Sequence, residues 1–152
     1  RSFEWLKSEI VALKLEDYVY LLGRHSLESM PSFYASADAL LLTLKSHPVL
    51  SKWTPGKAQS YMTAGKPILT MMSGEGSRII EEANCGYIAS SGDYKKLARN
   101  ILTMSELSEE KLNKLGKQAV IYAQKEFDRN KLITQLENWF TDLHESFKEK
   151  KL

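Results

Sequence analysis

The residues with the clearest capacity for chemistry form a short run in the middle of the chain, after a polar, turn-rich loop. The run consists of Thr54, Pro55, Gly56 and Lys57. Thr54 is a good N-cap residue, and Pro55 fits the first position of a helix. We therefore expect a helix from Pro55 to Ala64, which Gly65 ends. The first amides of a helix have no partner within it and lie at the positive end of its dipole, so this start favours a bound phosphate.

Lys57 makes the same run a candidate for a diphosphate in particular. A lysine in the first turn opposes the helix dipole at a cost of roughly a few tenths of a kcal/mol, which a bound diphosphate would remove. Gly56 lets a ligand approach the backbone closely. The residues alone leave a second interpretation equally open, namely a capped helix with a solvent-exposed lysine. The run is not a P-loop, because no glycine precedes Gly56 at the required spacing.

Two other glycine turns are candidates for contact with the same ligand. Gly74 and Glu75 open a second turn, and we expect Ser77 to cap the helix that follows. Glu75 would repel a phosphate there unless its carboxylate points toward sugar hydroxyls, and a flexible turn is the alternative. Gly23 and Arg24 follow a predicted strand, where they could hold a base or a phosphate or form a plain surface turn.

Strands and helices alternate along most of the chain. The predicted strands are 18–22, 39–44, 67–71 and 87–89, and the first predicted helices are 3–13, 30–37, 55–64 and 77–83. Residues 39–44 are continuously apolar, which is typical of a strand buried on both faces of a parallel sheet. The alternation predicts an α/β fold with a mostly parallel, doubly wound sheet. Such sheets bind ligands at the carboxyl ends of their strands, here the loops after Leu22, Leu44 and Met72.

The chain looks entirely helical from Tyr94 onward. Gly92 and Asp93 begin this region, and Ser108 and Asp128 are suitable caps for two further helices. The last helix carries an apolar stripe that we expect to bury one face, against this core or against a partner domain. The stripe comprises Leu132, Leu136, Trp139, Phe140, Leu143 and Phe147.

Composition indicates one soluble globular domain. The 152 residues are 43% hydrophobic and 26% charged, which suffices for a packed core. The net charge of +2, with both signs interspersed, gives no reason to expect a nucleic-acid partner. Cys85 is the only cysteine, which indicates the cytoplasm, and no apolar run approaches the ~20 residues that span a bilayer. Because the chain begins with Arg1 and enters a helical pattern at once, we expect it to be part of a longer protein.

The run from Pro55 to Ile68 closely resembles the core motif of family 4 glycosyltransferases, in the branch that builds bacterial surface polysaccharides. Residues 17–23 resemble the third strand of that family's C-terminal domain, and residues 30–38 resemble the helix after it. Residues 79–86, followed by Gly92 and Asp93, resemble its closing strand region. The resemblance covers nearly the whole chain in the right order.

The resemblance implies a Rossmann-like parallel sheet flanked by helices, as the donor-binding C-terminal domain of a two-domain GT-B enzyme. A nucleotide-sugar would bind here and a glycan or lipid-linked acceptor would bind the N-terminal domain, with retention of anomeric configuration and with no metal or other cofactor. Residues 54–57 would contact the diphosphate, Gly23 and Arg24 would face the base, and Gly74 and Glu75 would lie beside the donor sugar. It identifies no catalytic residue, and it leaves open both dimerisation and peripheral association of the parent protein with the inner face of a membrane.

Two departures from the family pattern keep other functions open. Many members carry two glutamates separated by seven residues, and this chain has Lys52 and Ser60 at those positions, so Ser60 offers only a weaker hydroxyl contact to a ribose. The family's first two strands of this domain, with a basic pair that holds the diphosphate, have no counterpart here. The alternatives are a non-catalytic interaction or regulatory domain of the same fold and a GT-B nucleotide-sugar epimerase.

Overall fold

The computed structural model describes residues 3–149, and the chain divides between Met30 and Pro31 into two compact units. The prediction of a single domain stays a prediction. The N-terminal unit contains helix α1 (Phe3–Ala12) and a 3₁₀ turn (Leu27–Ser29). Helix α2 (Met30–Ser36) begins at the boundary.

The predicted strand at 18–22 is wrong. This segment has no strand conformation, and the amides of Tyr18 and Val19 donate to the carbonyl oxygen of Leu15 at 3.0 and 2.9 Å. A local turn after α1 therefore uses the backbone donors that a strand would need for a neighbouring chain. The aromatic and β-branched residues that suggested a strand are mostly exposed, Tyr18 at 79% and Tyr20 at 71%.

The C-terminal unit has the predicted alternation of strands and helices. Its elements are β1 (Leu40–Thr43), a 3₁₀ turn (Leu50–Lys52), α3 (Gly56–Thr63), β2 (Ile68–Met71), α4 (Glu75–Glu82), β3 (Gly86–Ala89), α5 (Tyr94–Ser105), α6 (Glu109–Glu126) and α7 (Arg129–Glu149). The strands form a parallel sheet in the order β1-β2-β3, in which Leu40 lies opposite Ile68 and Ile68 opposite Gly86. The prediction of an α/β fold with a parallel sheet, flanking helices and C-terminal helices is confirmed.

Both faces of the sheet carry apolar cores. Residues of α3, α4 and α6 pack with one face, where Met62, Ile68 and Ile80 are fully buried. Residues of α5 pack with the other face, around Leu69 and Ala89. Burial of these side chains is the main force that holds the helices on the sheet. Cys85 lies in the first core, where burial raises the pKa of its thiol to about 12 and keeps it unreactive.

Strand β1 is buried on one face only, which corrects the expectation for residues 39–44. Leu40 and Leu42 are 8% and 4% exposed, whereas Leu41, between them, is 49% exposed. The reason lies in the sheet order: β1 is an edge strand, and α5 packs on β2 and β3. A continuous apolar run thus does not report whether a helix covers each face.

The C-terminal helices begin where the sequence predicts. Three side-chain caps accept a hydrogen bond from the amide three residues further on: Asp93 from Lys96 at 2.9 Å, Ser108 from Lys111 at 3.4 Å, and Asp128 from Lys131 at 2.8 Å. The apolar stripe of α7 is present but remains exposed, with Trp139 at 59% and Phe140 at 63%, so it does not bury a face against this core. No helix within residues 3–149 combines the length and apolar character needed to cross a membrane.

Gly116, in the middle of α6, lets this helix cross the turn after α3 at short range. A Cβ atom at position 116 would lie 2.0 Å from the carbonyl oxygen of Gly65. We expect Gly116→Ala to lower the free energy of unfolding by about 2 to 3 kcal/mol, because the two backbones must move apart. Lys117→Ala, at the next and exposed position, is the matched control and should change it by less than about 0.5 kcal/mol. Urea denaturation measures both, and equal midpoints for the two variants would contradict the close crossing.

Candidate functional site

The loops that follow the three strands meet at one edge of the sheet, because parallel strands end on the same side. Ser91 connects them. Its hydroxyl donates to the carbonyl oxygen of Leu44 at 2.6 Å, and its amide donates to the hydroxyl oxygen of Ser73 at 3.1 Å. A single residue in the loop after β3 thereby holds the loops after β1 and β2 in place. The sequence predicted those two loops as ligand-binding, but no pattern pointed to Ser73 or Ser91.

Helix α3 starts one residue later than predicted, and Pro55 rather than Thr54 is its N-cap. Pro55 has φ −63° and ψ 131°, so its backbone is still extended while its carbonyl oxygen accepts from the amide of Ala58 at 2.8 Å. The proline ring fixes φ of Pro55 but leaves its ψ free to be extended. Thr54 precedes this proline, and a residue before proline is held out of the helical region. No side chain caps this helix.

The start of α3 is therefore more open to a ligand than a threonine cap would leave it. Within residues 3–149, no group accepts a hydrogen bond from the amides of Gly56 and Lys57. Both residues are exposed, and a Cβ atom at Gly56 would meet nothing within 4 Å. Lys57 makes no ion pair in this described part of the chain. Two free amides and a free ammonium group at one helix start suit an anion.

Gly74 brings the start of α4 against the loop after β1. It has φ +90° and ψ −148°, and a Cβ atom there would lie 2.0 Å from the carbonyl oxygen of Ser51. Two residues further on, a Cβ atom at Gly76 would lie 2.9 Å from Cδ of Pro55. The starts of α3 and α4 are consequently neighbours, and glycine is required at Gly74 both by its conformation and by the space.

Ser77 is not the cap of α4, which corrects the sequence prediction. The helix begins at Glu75 and Gly74 takes the N-cap position, because the positive φ of Gly74 completes the turn before Ser77 is reached. The hydroxyl of Ser77 instead donates back to the carbonyl oxygen of Gly74 at 2.7 Å. It supports the turn from inside the first helical turn.

Glu75, the first residue of α4, is already paired with a cation. Nε of Arg78 donates to its Oε2 at 2.9 Å, and a second guanidinium nitrogen contacts its Oε1. The hydrogen bonds from Arg78 hold the pKa of Glu75 below its ordinary value. Glu75 is therefore ionised near neutral pH and can only accept hydrogen bonds. The glycine turn in the sequence pointed to Glu75 but not to Arg78. The spacing of three residues between Glu75 and Arg78 on one helix was a usable signal for their ion pair.

Ser60 and Lys52 occupy the two positions where the family pattern has glutamates. Ser60 is exposed on α3, and its hydroxyl donates to the carbonyl oxygen of Gly56 at 3.4 Å. Lys52 is exposed at the end of the 3₁₀ turn that contacts α4. Gly23 and Arg24 are exposed in the N-terminal unit, with Gly23 at φ +81°. Their contact with a base stays a prediction.

Comparison with protein families shows which family contains this chain. The model of the glycosyl transferases group 1 family matches residues 1–121. The chain belongs to the group 1 glycosyl transferases. No curated protein matches it. The matched region includes every residue that the sequence predicts for the site, whereas α7 lies beyond it.

In this group 1 glycosyl transferase, the described residues offer no obvious metal centre. Among residues 3–149, no group of three or more His, Cys, Asp and Glu side chains could hold a metal ion. The charged groups in and beside the starts of α3 and α4 include Lys57 on α3, the Glu75–Arg78 pair on α4, and Lys52 on the 3₁₀ turn that contacts α4.

Proposed function

We propose that this chain is the donor-binding domain of a two-domain GT-B glycosyltransferase. The enzyme transfers a sugar from a nucleotide-sugar to a glycan or lipid-linked acceptor, with retention of configuration, in polysaccharide biosynthesis. One observation supports the proposal: in this group 1 glycosyl transferase, the open start of α3, with unpaired amides at Gly56 and Lys57, lies at the edge where parallel α/β sheets generally bind ligands.

The start of α3 suits the diphosphate of the donor. When the sugar leaves, negative charge develops on the leaving diphosphate, and preorganised amides and a lysine stabilise that charge. Gly56 leaves open space for the close approach of a phosphate. We propose that this stabilisation replaces a metal ion, so that the reaction needs no cofactor. Thr54 and Pro55 position the turn.

The remaining predicted residues take the other parts of the donor. The Glu75 carboxylate accepts from hydroxyls of the donor sugar, and Gly74 lets the chain turn beside it. Gly23 and Arg24 face the base. Ser60 supplies at most a hydroxyl contact to the ribose, since its hydroxyl already donates to Gly56.

Catalysis requires an acceptor-binding domain, so this chain alone binds the donor without transferring sugar. The enzyme acts in the cytoplasm, at the inner face of the membrane when its acceptor is lipid-linked. A non-catalytic domain of the same fold is the second candidate, and the absence of both family glutamates, at Lys52 and Ser60, is the observation that favours it.

Calorimetric titration of the full-length protein with UDP-, GDP- and dTDP-sugars tests this proposal. We expect one nucleotide series to bind with a dissociation constant below millimolar, and release of the nucleoside diphosphate to require an acceptor. Binding without any turnover would favour the non-catalytic domain, and conversion of the donor sugar without an acceptor would favour the epimerase. No binding at millimolar concentration in any series would refute donor binding.

A further inference from the structure

Four side chains on α4 and α6 form one continuous hydrogen-bonded chain that leads to Glu75. Arg78 contacts both carboxylate oxygens of Glu75 and also contacts Oε1 of Glu82, one helical turn further along α4. The hydroxyl of Tyr122, on α6, donates to Oε2 of Glu82 at 2.9 Å. Spacings of three and four residues place the three α4 side chains on one side of the helix. The guanidinium group is thus held between two carboxylates, and α6 fixes the far end.

The charges of these four hydrogen-bonded side chains determine what Glu75 can bind. Two carboxylates and one guanidinium group give the four side chains a net charge of −1. Tyr122 stays neutral, because its burial and Glu82 raise its pKa to about 12. Each carboxylate oxygen of Glu75 accepts from Arg78 and still has a free lone pair. Such a group accepts hydroxyl donors and repels phosphate. A carboxylate at the first position of α4 also compensates the helix dipole there, so the start of α3 is the better place for an anion.

We propose that Arg78 is a positioning residue that aims the Glu75 carboxylate at hydroxyls of the donor sugar and thereby sets the preference for a sugar-bearing nucleotide. This inference rests on the proposed function of the site. Arg78 acts through Glu75 rather than by contact with the ligand. Its planar guanidinium fork fixes both carboxylate oxygens at once, which a single ammonium group does not do.

Because the ion pair between Arg78 and Glu75 is exposed, Arg78 can be substituted with little effect on stability. The Arg78 and Glu75 side chains are 51% and 35% exposed. Ion pairs this exposed to solvent contribute little to stability. Loss of Arg78 therefore leaves the fold intact, and a change in ligand preference reports the orientation of Glu75 rather than unfolding.

The test compares Arg78→Gln and Arg78→Lys with Lys114→Gln, which removes an exposed cation from α6. The full-length protein is titrated with UDP, GDP and dTDP, each with and without an attached hexose. For each nucleotide, the dissociation constant with hexose is divided by the dissociation constant without it. We expect Arg78→Gln to raise this ratio by about tenfold, which corresponds to about 1.4 kcal/mol. Arg78→Lys should raise the ratio less, and Lys114→Gln should leave it unchanged.

The nucleotides without hexose separate this inference from the proposed function. If the unmodified protein bound none of the six ligands, the proposed function itself would fail. If the unmodified protein bound these ligands and Arg78→Gln left the ratio of dissociation constants unchanged, the inference would be overturned. The ratio would stay unchanged if the two affinities kept their values or fell by the same factor. In either case Arg78 would have no role in positioning Glu75.

Discussion

Gly74→Ala is expected to lower the free energy of unfolding by about 2 to 6 kcal/mol and to weaken nucleotide-sugar binding more than about tenfold. A backbone at φ +90° costs a non-glycine residue about 1 to 3 kcal/mol, and the collision with the carbonyl oxygen of Ser51 adds about 1 to 3 kcal/mol of overpacking. Relief of that collision moves the start of α4 away from the loop after β1. The binding edge then opens between α3 and α4. Urea denaturation and calorimetric titration of the same variant measure the two effects.

Gly92→Ala is the matched control for that substitution. Gly92 also has a positive φ, +86°, but a Cβ atom there would meet nothing within 4 Å. The backbone strain is therefore present without the collision, and we expect the free energy of unfolding to fall by about 1 to 3 kcal/mol with donor binding unchanged. Equal destabilisation by the two alanines would show that the contact between Gly74 and Ser51 does not hold these loops together.

Lys57→Ala is expected to weaken the binding of a nucleoside diphosphate by about ten- to a hundredfold without loss of stability. A charge-assisted hydrogen bond to phosphate contributes about 1.5 to 3 kcal/mol, and about 1.4 kcal/mol corresponds to one factor of ten. In the free protein the lysine opposes the dipole of α3, and alanine is a better helix former, so unfolding should become slightly less favourable. Titration at low and at high salt measures the loss, which should be smaller at high salt.

Lys95→Ala controls for the removal of a surface lysine. Lys95 is exposed in the first turn of α5, the same part of a helix that Lys57 occupies in α3. Its removal should change neither the affinity nor its salt dependence. If Lys57→Ala bound the nucleotide as tightly as the unmodified protein, the ammonium group would have no part in holding the diphosphate.

The three strands could be predicted from sequence because each is a short apolar run between turn residues. Residues 39–44, 67–71 and 87–89 all became strands, and no end is shifted by more than one residue. The same pattern at 18–22 gave no strand, because a strand also needs a neighbour to accept its backbone hydrogen bonds. Whether such a neighbouring strand exists depends on the tertiary structure, which a short run of residues does not reveal.

Parts of the candidate site depended on backbone angles and distant contacts. Thr54 and Ser77 are good capping residues by type, yet the ψ angle of Pro55 and the positive φ of Gly74 placed the helix starts elsewhere. Ser91 joins residues 18 and 47 positions away in the chain, which no local pattern records. What the sequence did predict was that the loops after β1 and β2 lie together, since parallel strands end at the same edge of a sheet. That a ligand binds there stays a prediction.

The amide resonances of Gly56 and Lys57 test the central claim most directly. In full-length protein labelled with nitrogen-15 at glycine and lysine, we expect both resonances to shift on addition of UDP, GDP or dTDP, and to saturate with the nucleotide that binds. The amide of Gly116, in the middle of α6 and beside the turn that ends α3, serves as the internal reference and should move far less. If a nucleotide bound while the Gly56 and Lys57 resonances stayed in place, the start of α3 would not hold the diphosphate.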